Sequence, residues 1–245
     1  MKQGFVIPVY NHGATVGAVV KQLAAHDLPI ILVDDGSDAA TKSALADVVT
    51  QCPLAVLVTL PRNRGKGAAV SAGIDTAHGL ELSHVLQIDA DGQHDADRVG
   101  FFLEQSLQHP DAAICGCPLY DESVPLSRKK GRVFGNNWAK IVTLSDRIVD
   151  VMCGFRVYPV EPVWRLIHRS VMDQRMGFDI EILVRLHWKN IPLYFHPVSV
   201  VYPVGGISHF HAVRDNARIS WAFTRLFCGM LLRLPLLLAR RTKNA

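Results

Sequence analysis

Val85-Leu86-Gln87-Ile88-Asp89-Ala90-Asp91-Gly92-Gln93-His94 is the stretch on which the fold turns. Its mostly apolar opening predicts a buried strand, and that strand ends in two carboxylates one residue apart. Side chains alternate along a strand, so Asp89 and Asp91 share one side while Ala90 leaves room beside them. Two like charges this close are costly unless a cation lies between them. Oxygen ligation of this kind suits Mg2+ or Mn2+, which often also bind substrate phosphates. Asp-Gly is equally a common turn pair, so the same letters fit an acidic turn after a strand. The rest of the chain has to separate the two readings.

Working outward, the preceding chain alternates strand and helix. Gly4 to Asn11 predicts a first strand, and Ala14 to Ala25 a helix with Val16, Val19, Val20 and Leu23 on one face. Ile30 to Val33 is a second strand and runs into Asp34-Asp35-Gly36-Ser37-Asp38, with helical residues from Ala39 to Val49. A third strand, Leu54 to Leu60, leads into the basic loop Arg62-Asn63-Arg64-Gly65-Lys66-Gly67 and a helix over 68–77. Four strands alternating with three helices predict a mostly parallel α/β sheet with helices on both faces. In such sheets ligands bind beyond the carboxyl ends of the strands. Tyr10-Asn11, Asp34-Asp35, Asn63 to Gly67 and Asp89-Asp91 all lie there, which favours the metal reading over four unrelated turns.

Beyond the opening stretch the order is less regular. Helices are expected over 95–108, from the cation-rich segment with Arg128, Lys129, Lys130 and Arg132 through Trp138 to Leu144, over 161–168 and over 178–187. Strands are expected over 112–119 and 191–201. With 245 residues and 49% hydrophobic content the chain supports one large domain with appendages. Its net charge of +4 is uneven: residues 214–245 hold seven basic side chains against Asp215, leaving the body at −2. That pattern points to a local anionic partner and away from wholesale nucleic-acid binding. The five cysteines are odd in number and mostly lie in apolar runs, which predicts reduced, buried thiols in a cytosolic setting. Met1 leads straight into a strand-like run, so no signal peptide is expected.

The loops also define a chemistry. A helix start preceded by glycines and carrying Lys66 can hold a phosphate through backbone N–H groups and a point charge. The loop is neither a Walker sequence nor GxGxxG, which disfavours common kinases, NTPases and dinucleotide folds. An Asp at the end of the second strand can accept hydrogen bonds from a base or ribose. A haloacid-dehalogenase-like phosphatase would place Thr or Val where Gln93 stands, and its motif would lie near the N-terminus.

Val6-Ile7-Pro8-Val9-Tyr10-Asn11, Val33-Asp34-Asp35-Gly36-Ser37, Asn63 to Ala69 and Gln87 to His94 resemble, in order and spacing, glycosyltransferase family 2. The likeness is strongest to its dolichyl/polyprenyl-phosphate sugar synthases. Asp150 with Gly154 to Tyr158 looks like a later motif of that group, and Gly206-Ile207-Ser208-His209 like its final active-site loop. The resemblance covers roughly residues 4–210 and implies a GT-A fold and inverting transfer from a GDP- or UDP-sugar to a lipid-linked acceptor such as polyprenyl phosphate. It implies that Pro8, Tyr10, Asn11, Asp35, Gly36, Asn63, Lys66, Asp89 and Ala90 bind the nucleotide sugar, with Asp89, Asp91 and Gln93 on Mg2+ or Mn2+. Arg128, Arg132 and Arg156 become candidates for acceptor phosphate or donor diphosphate, because Arg suits bidentate phosphate recognition. Ser208 and His209 fall on the acceptor side.

The chain departs from the family pattern at three places. His12 stands where an acid is usual, Asp38 comes one place early, and Ser208-His209 replaces Ser-Lys. A hydroxyl acceptor needs a carboxylate to take its proton, whereas a phosphate is already an anionic nucleophile. Asp179 and Glu181, at i and i+2, do not share a helix face, so one is expected to point into the site and the other to solvent, with Asp179, nearer the helix start, the candidate base. Residues 219–239 are apolar but interrupted by Arg225, Arg233 and Pro235, too charged for a comfortable span. Basic amphipathic helices in the membrane interface fit them better than docking on the protein's own core or on a second subunit. The expected organisation is a catalytic domain over 1–213 and a membrane-associating tail over 214–245, on the cytoplasmic face of an anionic membrane surface. A sugar nucleotidyltransferase, or a catalytically degenerate membrane-bound partner subunit, are the rival functions.

Overall fold

Alternating apolar residues in the first strand divide the interior into two layers, one on each face of a single sheet. The computed structural model describes residues 1–93, 96–120, 126–200 and 212–243. Among these, the strands are β1 (Gln3–Val9), β2 (Ile30–Asp34), β3 (Ala55–Thr59), β4 (His84–Gln87), β5 (Ala113–Tyr120), β6 (Arg156–Pro159) and β7 (Leu193–Val200). Their order across the sheet is β3-β2-β1-β4-β6-β5-β7. The first four strands run parallel, as do β5 and β7. Strand β6 is antiparallel to both its neighbours. The stretch 149–158 carries no clear period in the sequence, and only its end joins the sheet, as β6.

The helices are α1 (Gly13–Ala24), α2 (Ala39–Gln51), α3 (Lys66–Gly79), α4 (Val99–Gln108), α5 (Leu126–Thr143), α6 (Val160–Arg169), α7 (Phe178–Trp188) and α8 (Ala212–Lys243). Phe5, Ile7 and Val9 of β1 point to one layer, with Val16, Val19, Val20 and Leu23 of α1 and Phe102 of α4. Val6 points to the other, against Ala69, Val70 and Ile74 of α3 and the inner side of α7. The i, i+3, i+4, i+7 spacing of the α1 set is what makes that helix amphipathic, and each such burial stabilises by ~1.5–3 kcal/mol. The five cysteines are free thiols. Burial pushes the Cys115 and Cys153 thiols up to about 12, so both are unreactive packing residues.

The C-terminal segment differs from the expected set of interfacial helices. It is one helix, α8, which continues through Pro235. It packs on α5 and α7 and buries Ala222, Phe223, Leu226, Met230 and Leu237. Its other side leaves Trp221 61% and Leu232 84% exposed, with Leu231, Leu236 and Leu238 also at the surface. Docking on the core and an unpartnered apolar face therefore coexist on one helix. The span Asp215–Arg240 is long and apolar enough to cross a membrane by length and composition.

Candidate functional site

Each parallel strand hands its loop to the same edge of the sheet. After β1, Asn11 takes a left-handed conformation (φ 56°). Its amide donates to Ser37 Oγ at 3.0 Å and its Oδ1 accepts from the Asp38 amide at 2.9 Å. It ties two loops together. Asp38, displaced by one place in the sequence, is the N-cap of α2, accepting from the Thr41 amide at 2.8 Å. His12 caps α1 through its carbonyl, which accepts from the Thr15 and Val16 amides.

Asp35 builds the phosphate-type loop from beneath. Its two carboxylate oxygens accept from the Arg64 and Gly65 amides, each at 2.7 Å. Burial raises the Asp35 pKa, and these two amides oppose the rise. Gly36 must be glycine here: its φ is +70°, and a Cβ would come within 2.5 Å of the Arg62–Asn63 backbone. Segment 173–177 closes the loop from the far side. Gln174 O accepts from the Ala68 amide at 2.9 Å, and Arg175 Nη1 donates to Asn63 Oδ1 at 2.8 Å. The loop amides at Arg64, Gly65 and Ala68 are thus taken up within the protein. What the loop presents to the site is the Lys66 ammonium.

Lys66 Nζ lies 2.8 and 2.9 Å from the two oxygens of Asp89 and 3.2 Å from Asp179 Oδ2. Burial would lower its pKa, but Asp179 and Asp89 outweigh that and hold the ammonium above its ordinary value. Gly154 abuts the pair: a Cβ there would meet Lys66 Nζ at 2.5 Å and the Asp89 oxygens at 3.0 and 3.2 Å. Asp91 stands two residues beyond Asp89, partly exposed, its Oδ1 accepting from the Gln93 amide at 3.0 Å. Ala90, buried between the two acids, is held through its carbonyl by Thr15 Oγ1 at 2.6 Å.

Three predicted residues serve the site from outside it. Arg156 is fully buried. Its Nη1 donates to Asp179 O at 2.8 Å and to Tyr158 Oη at 3.2 Å, and its Nη2 to Val151 O at 2.9 Å. It is a strut under α7, not a surface cation waiting for phosphate. Arg132 pairs with Asp150, whose Oδ1 also accepts from the Met152 and Cys153 amides. Asp150 thereby brings α5 to the turn that ends in Gly154. Glu181 does not face solvent: it is fully buried, paired with Arg225 of α8 and 3.4 Å from Arg185.

A basic phosphate-type loop, a strand-end acid pair and a carboxylate from a later helix therefore converge on one sheet edge. Residues 5–167 match the family model for glycosyl transferase family 2. The chain belongs to that family.

Its relatives agree in kind. It is 38% identical, over 99% of its own length, to the dodecaprenyl-phosphate galacturonate synthase of Rhizobium johnstonii. It is 30% identical, over 67% of its length, to the dolichyl-phosphate beta-glucosyltransferase of Dictyostelium discoideum. The chain spans 68% of the Rhizobium protein and 52% of the Dictyostelium one. Among solved structures, the Pyrobaculum calidifontis mannosyltransferase PcManGT, in complex with GDP-Man and Mn2+, superposes with a TM-score of 0.59 at 15% identity. That comparison covers 97% of this chain and 73% of the other, and it shows that the fold is the GT-A type.

Of the residues expected to act in this family 2 site, the structure brings Lys66, Asp89, Ala90, Asp91 and Asp179 together. Asn11, Asp35, Gly36 and Asn63 shape the loops around them, and Arg132, Arg156 and Glu181 stand behind. Gln93 enters through its backbone amide. Pro8 lies in β1 and Tyr10 just past its end. The side chain of Arg128, and Ser208, His209 and His94 altogether, lie outside the described residues. Segment 173–177 and Arg225 are contributors that sequence reasoning missed, whereas Asp150 was singled out as part of a later motif but without its partner Arg132. For Arg225 a signal existed: a cation inside an apolar run calls for an acidic partner.

The donor set fits a hard divalent cation. Among the described residues no group of three or more His, Cys, Asp or Glu could hold a metal by itself. Mg2+ is typically held by one or two carboxylates, with substrate phosphates and water completing the shell. Two strand-end carboxylates beside a lysine match that arrangement.

Proposed function

We propose that this family 2 chain transfers a hexosyl group, with inversion, from a GDP- or UDP-sugar to a lipid-linked phosphate, polyprenyl phosphate being the acceptor class, at the cytoplasmic face of a membrane. The observation that carries the reading is the Lys66 ammonium held between Asp89 and Asp179 beside Asp91. Asp91, with Asp89, would hold Mg2+ or Mn2+. When bound, that cation neutralises charge developing on the departing diphosphate. Lys66 would contact the diphosphate as a point charge, while Pro8 and Tyr10 lie on the nucleoside side. Electrostatic pre-organisation of this kind needs no movement at the moment of transfer.

The contacts of the two candidate bases support a phosphate acceptor. Asp179 is ion-paired with Lys66, and Glu181 is buried between Arg185 and Arg225. Neither is placed to strip a proton from a hydroxyl, and a phosphate acceptor needs no base because it is already an anion. The names of the Dictyostelium and Rhizobium relatives, which carry dolichyl phosphate and dodecaprenyl phosphate, support the same choice. A purified sample should therefore gain thermal stability from GDP or UDP with Mn2+ and markedly less from either alone. If no nucleoside diphosphate shifts the Tm, with or without metal, the donor site is misread.

The membrane part of the reading rests on the exposed apolar side of α8, flanked by its basic residues. Trp221→Asp combined with Leu232→Asp leaves the docked face of α8 intact. The fraction of protein co-sedimenting with anionic vesicles should drop about fivefold or more, because both side chains trade apolar burial for a charge repelled by the surface. Undiminished co-sedimentation would refute the anchor.

A further inference from the structure

The buried pair between α7 and α8 lies two residues from the site and has no part in the transfer chemistry set out above. Glu181 is fully buried, and its carboxylate is met by Arg225 from α8 and, at 3.4 Å, by Arg185 one turn along α7. Two residues earlier on the same turn, Asp179 points the other way, onto Lys66. The first turn of α7 is also packed tightly against the start of α3. A Cβ on Gly67 would come within 2.6 Å of Phe178 Cβ, and Gln174 O accepts from the Ala68 amide. A displacement of this turn is therefore carried to both ends of the Asp179–Lys66 contact. A buried carboxylate fixes the position of its neighbours only while its charge is matched, and here the matching cation comes from the tail helix.

We propose that Glu181 and Arg225 are positioning residues of the transferase site: their ion pair locks the first turn of α7 to α8 and so holds Asp179 on Lys66. The tail helix is then part of the active enzyme and not an interchangeable anchor. This rests on the donor-site reading of Lys66.

Glu181→Gln removes the charge but keeps an acceptor for Arg225, and the Arg225 and Arg185 side chains, 27% and 17% exposed, retain some water. Arg240→Ala is the control. Arg240 Nη1 donates to Trp188 O at 3.0 Å, so it ties α8 to the far end of α7, away from Asp179. In the full-length protein, Glu181→Gln should lower kcat about tenfold or more with donor KM within about twofold, as expected for a contact that matters in the transition state. Arg240→Ala should stay within about twofold on both. Arg225→Lys, which keeps the charge, should recover part of the loss that Arg225→Ala shows. Amide hydrogen exchange over 173–183 and 64–70 should be at least about tenfold faster in Glu181→Gln than in wild type, and unchanged there in Arg240→Ala. Equal kcat losses in the two variants, or unchanged exchange in Glu181→Gln, would overturn the positioning role. A wild-type protein inactive with every donor would overturn the transferase reading instead, and the exchange data would still decide the positioning.

Discussion

Asp91→Asn is expected to lower sugar transfer by about 10²–10³-fold or more while leaving the fold in place. Asparagine keeps the local hydrogen bond, because its Oδ1 can accept from the Gln93 amide as Asp91 Oδ1 does. What it removes is the charge. Lys66 is paired with Asp89 and Asp179, so on the proposed reading Asp91 would be the main anionic partner of the cation, and the substitution would remove it. Asp91 is only partly buried, and a change there away from core packing typically moves stability by ~0.5 kcal/mol or less. For a chain of this size that is a Tm change of about 2 °C or less. Full activity in this variant would sink the metal assignment.

The second large effect comes from a single methyl group. In Gly154→Ala the new Cβ would press on Lys66 Nζ at 2.5 Å and on the Asp89 carboxylate at 3.0 and 3.2 Å. The backbone of Gly154 needs no left-handed conformation, so alanine fits the chain itself. The ammonium, at the end of a flexible side chain, is what gives way. Overpacking of this sort costs ~1–3 kcal/mol, and the mobile lysine puts Gly154→Ala at the low end. A displacement of ~1 Å in a catalytic contact can cost ~100-fold in rate. The expected result is a folded protein, with a circular dichroism spectrum like wild type, whose kcat has dropped about 100-fold. A kcat within about twofold of wild type would show that the Lys66–Asp89 contact does not set the rate.

Much of this molecule could be read before any coordinates. The apolar run Gly4 to Asn11 gave the first strand, though not which of its side chains face which layer, and helical spacing gave the buried face of α1 as Val16, Val19, Val20 and Leu23. The four polar clusters fell on one edge because parallel strands leave no other place for their carboxyl ends. What periodicity does not carry is the identity of a partner far along the chain. Arg156 has the composition of a phosphate ligand, yet its guanidinium is committed to the carbonyls of Val151 and Asp179. Asp35 reads as a ligand for the nucleotide, and sequence alone did not show that its two oxygens also accept from the amides of Arg64 and Gly65. Glu181 reads as a surface acid because helix starts often carry one. Its burial depends on Arg225, 44 residues later, in a helix whose amphipathic pattern looks complete without it. In each case the chemistry was legible and its direction was not.

Transfer to a lipid phosphate can be measured by incubating the purified full-length protein with labelled GDP- and UDP-hexoses, Mn2+ or Mg2+, and either polyprenyl phosphate or the unphosphorylated polyprenol. The expected result is organic-extractable label with one donor class, only with polyprenyl phosphate, and abolished by EDTA. Equal labelling of polyprenol, or no lipid labelling with any donor while metal is present, would contradict it.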